Sequence, residues 1–155
     1  MIIDTLRFGS LELPESALVT LPDGLLGFPQ CRQFIILPYD DELPLCWLQS
    51  AEDPGLTFLA LEPHLFFTDY EVVLSDGDAA ALELESAERA ALLALLTVSR
   101  EATAITADLA GPIVINIATR RGKQVVLDDA RYTTRHLVAQ ISEQLVSAAE
   151  RRLPP

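Results

Sequence analysis

Apolar residues along this chain come in short runs of strand length, separated by turns rich in proline, glycine and acidic residues. The clearest case is segment 46–73, in which apolar runs at 47–48 and 56–61 flank the turn Glu52-Asp53-Pro54-Gly55. Proline presets φ and glycine accepts positive φ, so this turn predicts a β-hairpin. The segment also carries the only Trp and three of the six Phe residues, so we expect much of the core here.

Further strands are predicted on both sides of this hairpin. They form a hairpin in residues 1–13 and single strands at 17–21, 34–37, 105–109, 113–116 and 124–127. Residues 76–84 predict a short acidic helix with Ser75 or Asp76 as its N-cap. Residues 87–96 are strong helix formers, yet the unbroken apolar run that ends in Thr97-Val98 equally fits a buried strand.

The C-terminal stretch has a different period. Leu137, Ile141 and Leu145 recur every four residues, which predicts an amphipathic helix over residues 133–153, ended by Pro154-Pro155. Such a helix packs on its own domain or binds a groove. Its polar face carries both signs of charge, which argues against a role at a membrane surface. Many short strands with helical additions predict an all-β barrel or sandwich.

Charge narrows the possible partners. Among 155 residues, 11 Lys and Arg stand against 23 Asp and Glu, a net charge of −12. Binding to DNA or RNA needs a basic face, so direct nucleic-acid binding is not expected. An acidic surface fits a basic protein partner, and it also fits a surface that simply keeps the protein soluble.

Cysteine usage and hydropathy predict a cytoplasmic protein. Cys31 and Cys46 form no CxxC pair, and no apolar run approaches the ~20 residues that a membrane span needs. The N-terminus has neither the basic nor the apolar region of a signal peptide, so we expect no leader and no membrane association.

Catalytic motifs give no positive case for an enzyme. His64 and His136 have no ligand-spaced partner, and neither cysteine has a base nearby in sequence, so we expect no catalytic, cofactor-binding or metal-binding residues. The clustered carboxylates Asp40, Asp41 and Glu42 could attract a hard cation. They lack EF-hand spacing, so a solvated loop or a contact for a basic partner fits better.

Five sequence blocks together resemble the family of the bacterial flagellar assembly factor FliW. The blocks are residues 21–28 (LPDGLLGF), 47–50 (WLQS) with Asp53-Pro54, Pro63 with 66–71 (FFTDYE), 112–116 (PIVIN), and 121–124 (RGKQ) through Tyr132 and Arg135. The resemblance runs over residues 5–137. It differs at Asp108, where the family usually has Asn, and in a chain that continues past Leu137.

The resemblance implies a mainly β fold: a small antiparallel β-barrel-like single domain with a short helix after the central strands. It favours a strand rather than a helix over residues 92–99. We accordingly expect a FliW-like β-barrel domain over 1–136 and an amphipathic C-terminal helix as an extension over 137–155. That helix could cap the barrel or fill a partner groove, in which case deleting residues from Val138 onward should raise partner affinity.

The resemblance also implies a non-enzymatic cytoplasmic protein with two partners, flagellin and CsrA. CsrA is a small dimeric RNA-binding repressor of flagellin translation, and FliW-like proteins sequester it once flagellin has been exported. Candidate contacts for flagellin are Asp53, Pro54, Phe66, Phe67, Asp69 and Tyr70, although the Phe residues equally fit the core. Candidate contacts for the basic partner are Asp40, Asp41 and Glu42. The competing interpretation is a small-molecule-binding β-barrel or a carboxylate-based enzyme, which predicts a deep pocket with convergent polar groups.

Overall fold

The computed structural model describes residues 1–40, 42, 44–99 and 104–138. Within them the protein is mainly β, with eleven strands, one short α-helix and three 3₁₀ turns. The strands are β1 Ile2–Thr5, β2 Gly9–Glu12, β3 Val19–Thr20, β4 Gln33–Pro38, β5 Leu45–Ser50, β6 Thr57–Leu61, β7 Ala90–Val98, β8 Ile105–Ala107, β9 Ile113–Asn116, β10 Gly122–Gln124 and β11 His136–Leu137. The helix α1 spans Asp76–Ala81, and the 3₁₀ turns span Glu15–Ala17, Pro63–Leu65 and Ala87–Arg89.

All strand pairs are antiparallel and fall into two sheets. Strands β1 and β2 form a separate hairpin, and the other nine form one sheet with the main order β10-β9-β7-β6-β5-β4-β3. The long strand β7 pairs with β9 through its first residues and with β8 through its last. Strands β8 and β9 therefore pair with successive parts of β7, and residues 108–112 connect them.

The sheet does not close into the expected barrel within the described residues. Its two end strands, β10 and β3, approach each other at an isolated parallel bridge between Thr20 and Arg121. Here the Thr20 N–H donates to the Arg120 carbonyl at 2.9 Å. Strand β3 has only two residues, so its contact with β10 is limited to this single bridge.

The predicted hairpin of the central segment is confirmed as β5 and β6, with Trp47 opposite Leu59 and Leu48 opposite Phe58. Successive residues of β5 enter different cores. Trp47 packs in a cluster with Tyr39 and Tyr70, and Leu48 packs in a second cluster with Phe34. Both faces of the sheet are thus buried at this point, which is why the sequence shows unbroken apolar runs here rather than alternation.

The predicted strand over residues 92–99 is also confirmed, and β7 begins two residues earlier at Ala90. Its helix-forming residues adopt a strand because both faces of the strand find apolar partners. Leu93 is buried in the Phe34 cluster, whereas Ala94 is buried in the Trp47 cluster. This packing outweighs helix propensities that differ by less than about 1 kcal/mol per residue.

The predicted acidic helix is confirmed as α1, with Ser75 as its N-cap. The Ser75 hydroxyl accepts a hydrogen bond from the Asp78 N–H at 3.0 Å. The helix ends earlier than expected, because Leu82 turns into the core and Glu83 takes a left-handed φ of 54°. No helix in the described part of the chain is long and apolar enough to span a bilayer.

The prediction of a C-terminal helix is wrong at its first residues, which form a strand. His136–Leu137 is a strand that pairs with Thr106 and Ala107 of β8, because the open edge of β8 supplies backbone partners. Val138 follows it into the core, and its N–H donates to the Ile105 carbonyl at 3.0 Å. Residues 139–155 lie outside the described residues, so the helical extension and the domain boundary remain predictions.

Candidate partner-binding surfaces

The loop over residues 66–71 follows the Pro63–Leu65 turn and contains four of the predicted contact residues. Asp69 is exposed, whereas Phe66 and Phe67 are half-buried against the Trp47 core. Each Phe ring therefore packs within the domain and keeps part of its surface available.

Tyr70 anchors this loop from inside. Its side chain is buried, and its hydroxyl donates to the Leu109 carbonyl at 2.7 Å. Burial raises the pKa of the Tyr70 phenol well above its ordinary value, so the hydroxyl stays a hydrogen-bond donor. Its ring meets that of Tyr132 edge to face, with the centroids 4.8 Å apart. Tyr70 thus positions the loop rather than presenting its own ring to solvent.

Between this loop and residues 131–136 lies an aromatic cleft of about 340 Å³. It is lined by Phe66, Phe67, Thr68, Asp69, Tyr70, Leu109, Arg131, Tyr132 and His136. The Arg131 guanidinium lies 5.1 Å from the centre of the Tyr132 ring and makes a two-pronged contact with Asp129. Hydrogen bonding from Arg131 lowers the pKa of the Asp129 carboxyl. The rim of the cleft is therefore aromatic and carries a fixed cation.

The turn that contains Asp53 and Pro54 is exposed and held by side chains of its own motif. The Ser50 hydroxyl accepts the Asp53 N–H at 2.9 Å, and the Asp53 carboxylate accepts the Gly55 N–H at 3.0 Å. The Pro54 carbonyl accepts the Leu6 N–H at 2.9 Å, which ties the turn to the first hairpin. The turn is therefore a preformed surface.

The acidic loop after β4 is described at two of its three predicted residues. Asp40 is half-buried and accepts the Glu42 N–H at 2.7 Å, and Glu42 is exposed. Asp41 lies outside the described residues. In the part of the chain that the structure describes, no three His, Cys, Asp or Glu side chains come together as metal ligands.

The structure brings only some of the predicted contact residues together. Phe66, Phe67, Asp69 and Tyr70 line the aromatic cleft, whereas Asp53 and Pro54 lie beside the β1–β2 hairpin. Asp53 and Pro54 are therefore not part of the aromatic cleft, although both groups of residues are candidate contacts for flagellin.

The sequence did not indicate an apolar groove of about 690 Å³ that the structure shows. It lies between strands β7 and β9 on one side and the segments 72–74 and 84–87 on the other. Its lining residues are Glu62, His64, Val72, Leu74, Ala79, Leu84, Glu85, Ser86, Ala87, Ala90, Ala91, Leu92, Val114 and Ile117. Most of them are apolar, so the groove offers an apolar surface to a binding partner.

One wall of the apolar groove is fastened at both ends of α1. The buried Asn116 amide donates to the Leu82 carbonyl at 2.8 Å, just after the helix. Lys123 forms an ion pair with Asp78 at 2.6 Å, in the first turn. Hydrogen bonding from Lys123 lowers the pKa of the Asp78 carboxyl. These contacts lie within the chain and fix the wall without a partner. Binding therefore costs less conformational entropy.

Known proteins resemble this chain over nearly all of the residues that the structure describes. A family model described as "FliW protein" matches residues 2–138. This chain belongs to the FliW family. A crystal structure of the flagellar assembly factor FliW superimposes with a TM-score of 0.82 at 36% sequence identity, covering 89% of this chain and 96% of that one.

Curated FliW relatives align over similar lengths. The flagellar assembly factor FliW of Natranaerobius thermophilus is 39% identical over 137 residues, covering 88% of this chain and 91% of that protein. The flagellar assembly factor FliW of Bdellovibrio bacteriovorus is 38% identical over 146 residues, covering 94% of this chain and 83% of that protein.

Two side chains within the matched region, Gln124 and Asp108, hold loops together through hydrogen bonds. Gln124 accepts the Leu26 N–H and donates to the Gly111 carbonyl, both at 2.9 Å, so one side chain joins the blocks at 21–28 and 121–124 and also holds Gly111, just before the 112–116 block. Asp108 accepts the Gly111 N–H at 2.9 Å and the Ala110 N–H at 3.1 Å. Both hydrogen bonds use only a side-chain oxygen as acceptor, which Asp108 supplies.

Proposed function

We propose that this chain is a non-enzymatic flagellar assembly factor that binds flagellin in the cytoplasm and antagonises the CsrA-type repressor of flagellin translation. The observation that carries the proposal is FliW family membership over residues 2–138. The relatives above are named flagellar assembly factors, which supports a role in flagellum assembly. The proposed role requires no cofactor and no contact with nucleic acid or membrane.

Charge supplies a physical route to the antagonism. A protein that holds RNA needs a basic surface, and this chain has a net charge of −12. Docking of the acidic chain removes positive potential from the repressor and repels the phosphates of the RNA. The RNA-binding site need not be covered for the RNA to leave.

The candidate surfaces suit different partners. The aromatic cleft, with Phe66, Phe67 and Asp69 at its edge and Tyr70 beneath it, would receive an apolar helix of flagellin before export. The preformed turn at Asp53 and Pro54 offers a second contact for flagellin. The loop of Asp40, Asp41 and Glu42 is a candidate contact for the basic repressor.

An RNA-release assay tests the two proposed activities together. Labelled flagellin leader RNA is bound to the purified repressor of the same host, and the full chain is then added. We expect the RNA to be released and later addition of flagellin to restore the repressor–RNA complex. RNA that stays bound at saturating amounts of the chain would contradict the proposal.

A further inference from the structure

One face of the large sheet is mostly apolar and is incompletely covered by the described residues. Residues that pair directly across antiparallel strands lie on the same face, as do residues two apart along a strand. The registers therefore place one set of side chains together, which we call the open sheet face: Ile36, Cys46, Phe58, Leu95, Thr97, Thr106 and Leu137. Along β7 this side of the sheet becomes more exposed, from the buried Leu93 through the half-buried Leu95 to the exposed Thr97.

Two properties of the open sheet face restrict what can occupy it. None of its seven residues is charged, so it offers no carboxylate to a basic partner. Leu137 is the last residue of β11, and 57% of its surface is exposed on this face. The next residue, Val138, is buried in the core on the opposite side of the sheet. The chain therefore leaves the described part of the fold at the edge of the open sheet face.

The sequence that follows Val138 matches such a face in polarity and in length. Within residues 139–155, Ile141 and Leu145 continue the apolar period of four, and two Glu against two Arg give no net charge. A helix over residues 141–153 would be about 20 Å long at about 1.5 Å per residue. The four strand spacings from β11 to β5 amount to about 19 Å at about 4.8 Å each. The segment is therefore long enough to reach Cys46 on β5.

We propose that residues 139–155 dock on the open sheet face of their own chain, with Ile141 and Leu145 turned toward the sheet. The contact removes apolar surface from water on both sides, and the covalent link keeps the segment at a high effective concentration. Burial raises the pKa of the Cys46 thiol to about 11, so a change in what covers this face should alter the reactivity of that thiol. The contact lies within the chain, so it stands whether or not the proposed partners bind.

Alkylation of Cys46 by iodoacetamide in the native full chain tests the proposal, with each cysteine followed by peptide mass spectrometry. Deletion of the segment should raise the rate at Cys46 at least about fivefold, since the thiol becomes more accessible. The buried Cys31 is the internal reference, and its rate should not change. Ile141→Asp in the full chain should raise the Cys46 rate by a similar factor. Its control is Ser147→Asp, which places the same carboxylate about 200° around the predicted helix from Leu145.

Three results would overturn the proposal. Equal Cys46 rates in the full and the shortened chain would show that the segment does not cover this face. Equal acceleration by Ile141→Asp and Ser147→Asp would show that the apolar stripe makes no specific contact. Protection of Cys46 that disappears on dilution would make a second copy the source of the covering segment. If Cys31 also reacts faster in the shortened chain, the deletion has opened the core, and the two full-length variants then decide.

Discussion

At the scale of single residues, the FliW blocks act through hydrogen bonds that the sequence does not reveal. Proline and glycine in Pro22-Asp23-Gly24 favour a tight turn, but the sequence does not show which atoms lie against Gly24. A Cβ atom at this position would lie 2.6 Å from the backbone oxygens of Phe28 and Pro29. Gly24 is therefore required by close approach as well as by its φ of 70°.

A pair of glycine substitutions separates these two requirements. Gly27→Ala pays only the left-handed backbone cost of about 1–2 kcal/mol, because no atom lies within 4 Å of its Cβ position. Gly24→Ala should lower the free energy of unfolding by at least about 2 kcal/mol more, since backbone must move. Urea denaturation of both variants measures the difference, and equal losses would show that the turn relaxes freely.

The buried Tyr70 side chain should make the free energy of unfolding depend on pH in the alkaline range. Its folded pKa is raised, so it contributes stability that is present below the ordinary tyrosine pKa of 10.0 and is lost as pH rises above it. Tyr70→Phe should cost about 1 kcal/mol near neutral pH through the lost hydrogen bond to Leu109. Above about pH 10 the unfolding free energy of the wild type should fall more steeply than that of the variant. Parallel slopes would contradict a buried, protonated Tyr70.

At the scale of elements, local pattern predicted the β5–β6 hairpin and α1 because turn and cap residues act over a few positions. It failed at residues 133–138, where an apolar period of four residues predicted a helix. The backbone there pairs with β8, a strand about thirty residues earlier in the chain. The apolar groove was missed for the same reason, because it joins segments from Glu62 to Ile117 that no local pattern connects.

The ion pair between Asp78 and Lys123 should couple α1 to β10. Each side chain is less than one third exposed, and a double-mutant cycle with Asp78→Asn and Lys123→Met should give about 0.5–1 kcal/mol. The folded pKa of Asp78 is lowered, so the coupling is present above its ordinary value of 3.8 and is lost as pH falls. A coupling that persists well below that pH would show that packing, not charge, joins the two elements.

At the scale of the whole molecule, the described residues form three clusters of buried apolar side chains, and the chain carries a net charge of −12. Composition alone indicated the acidic character, and the five blocks indicated the family. Val138 is buried in the core, so a truncation that tests the C-terminal extension should begin at residue 139 rather than at Val138.

Deletion of residues 139–155 tests the predicted role of the C-terminal extension. The shortened chain ends at Val138 and keeps all of residues 2–138, which the family model matches. If the extension fills a partner groove, the truncated chain should bind its partner more tightly than the full chain. The thermal unfolding midpoint serves as the control for folding, and unchanged affinity in a folded truncation would contradict the prediction.

We propose that this acidic FliW-family chain captures a basic RNA-binding repressor. The most direct measurement is a calorimetric titration of the purified CsrA-type protein of the same host into the full chain at low and at high salt. The account predicts tight binding at low salt that weakens markedly at high salt, because salt screens the attraction between opposite charges. No binding at low salt, or a Kd that does not change with salt, would contradict it.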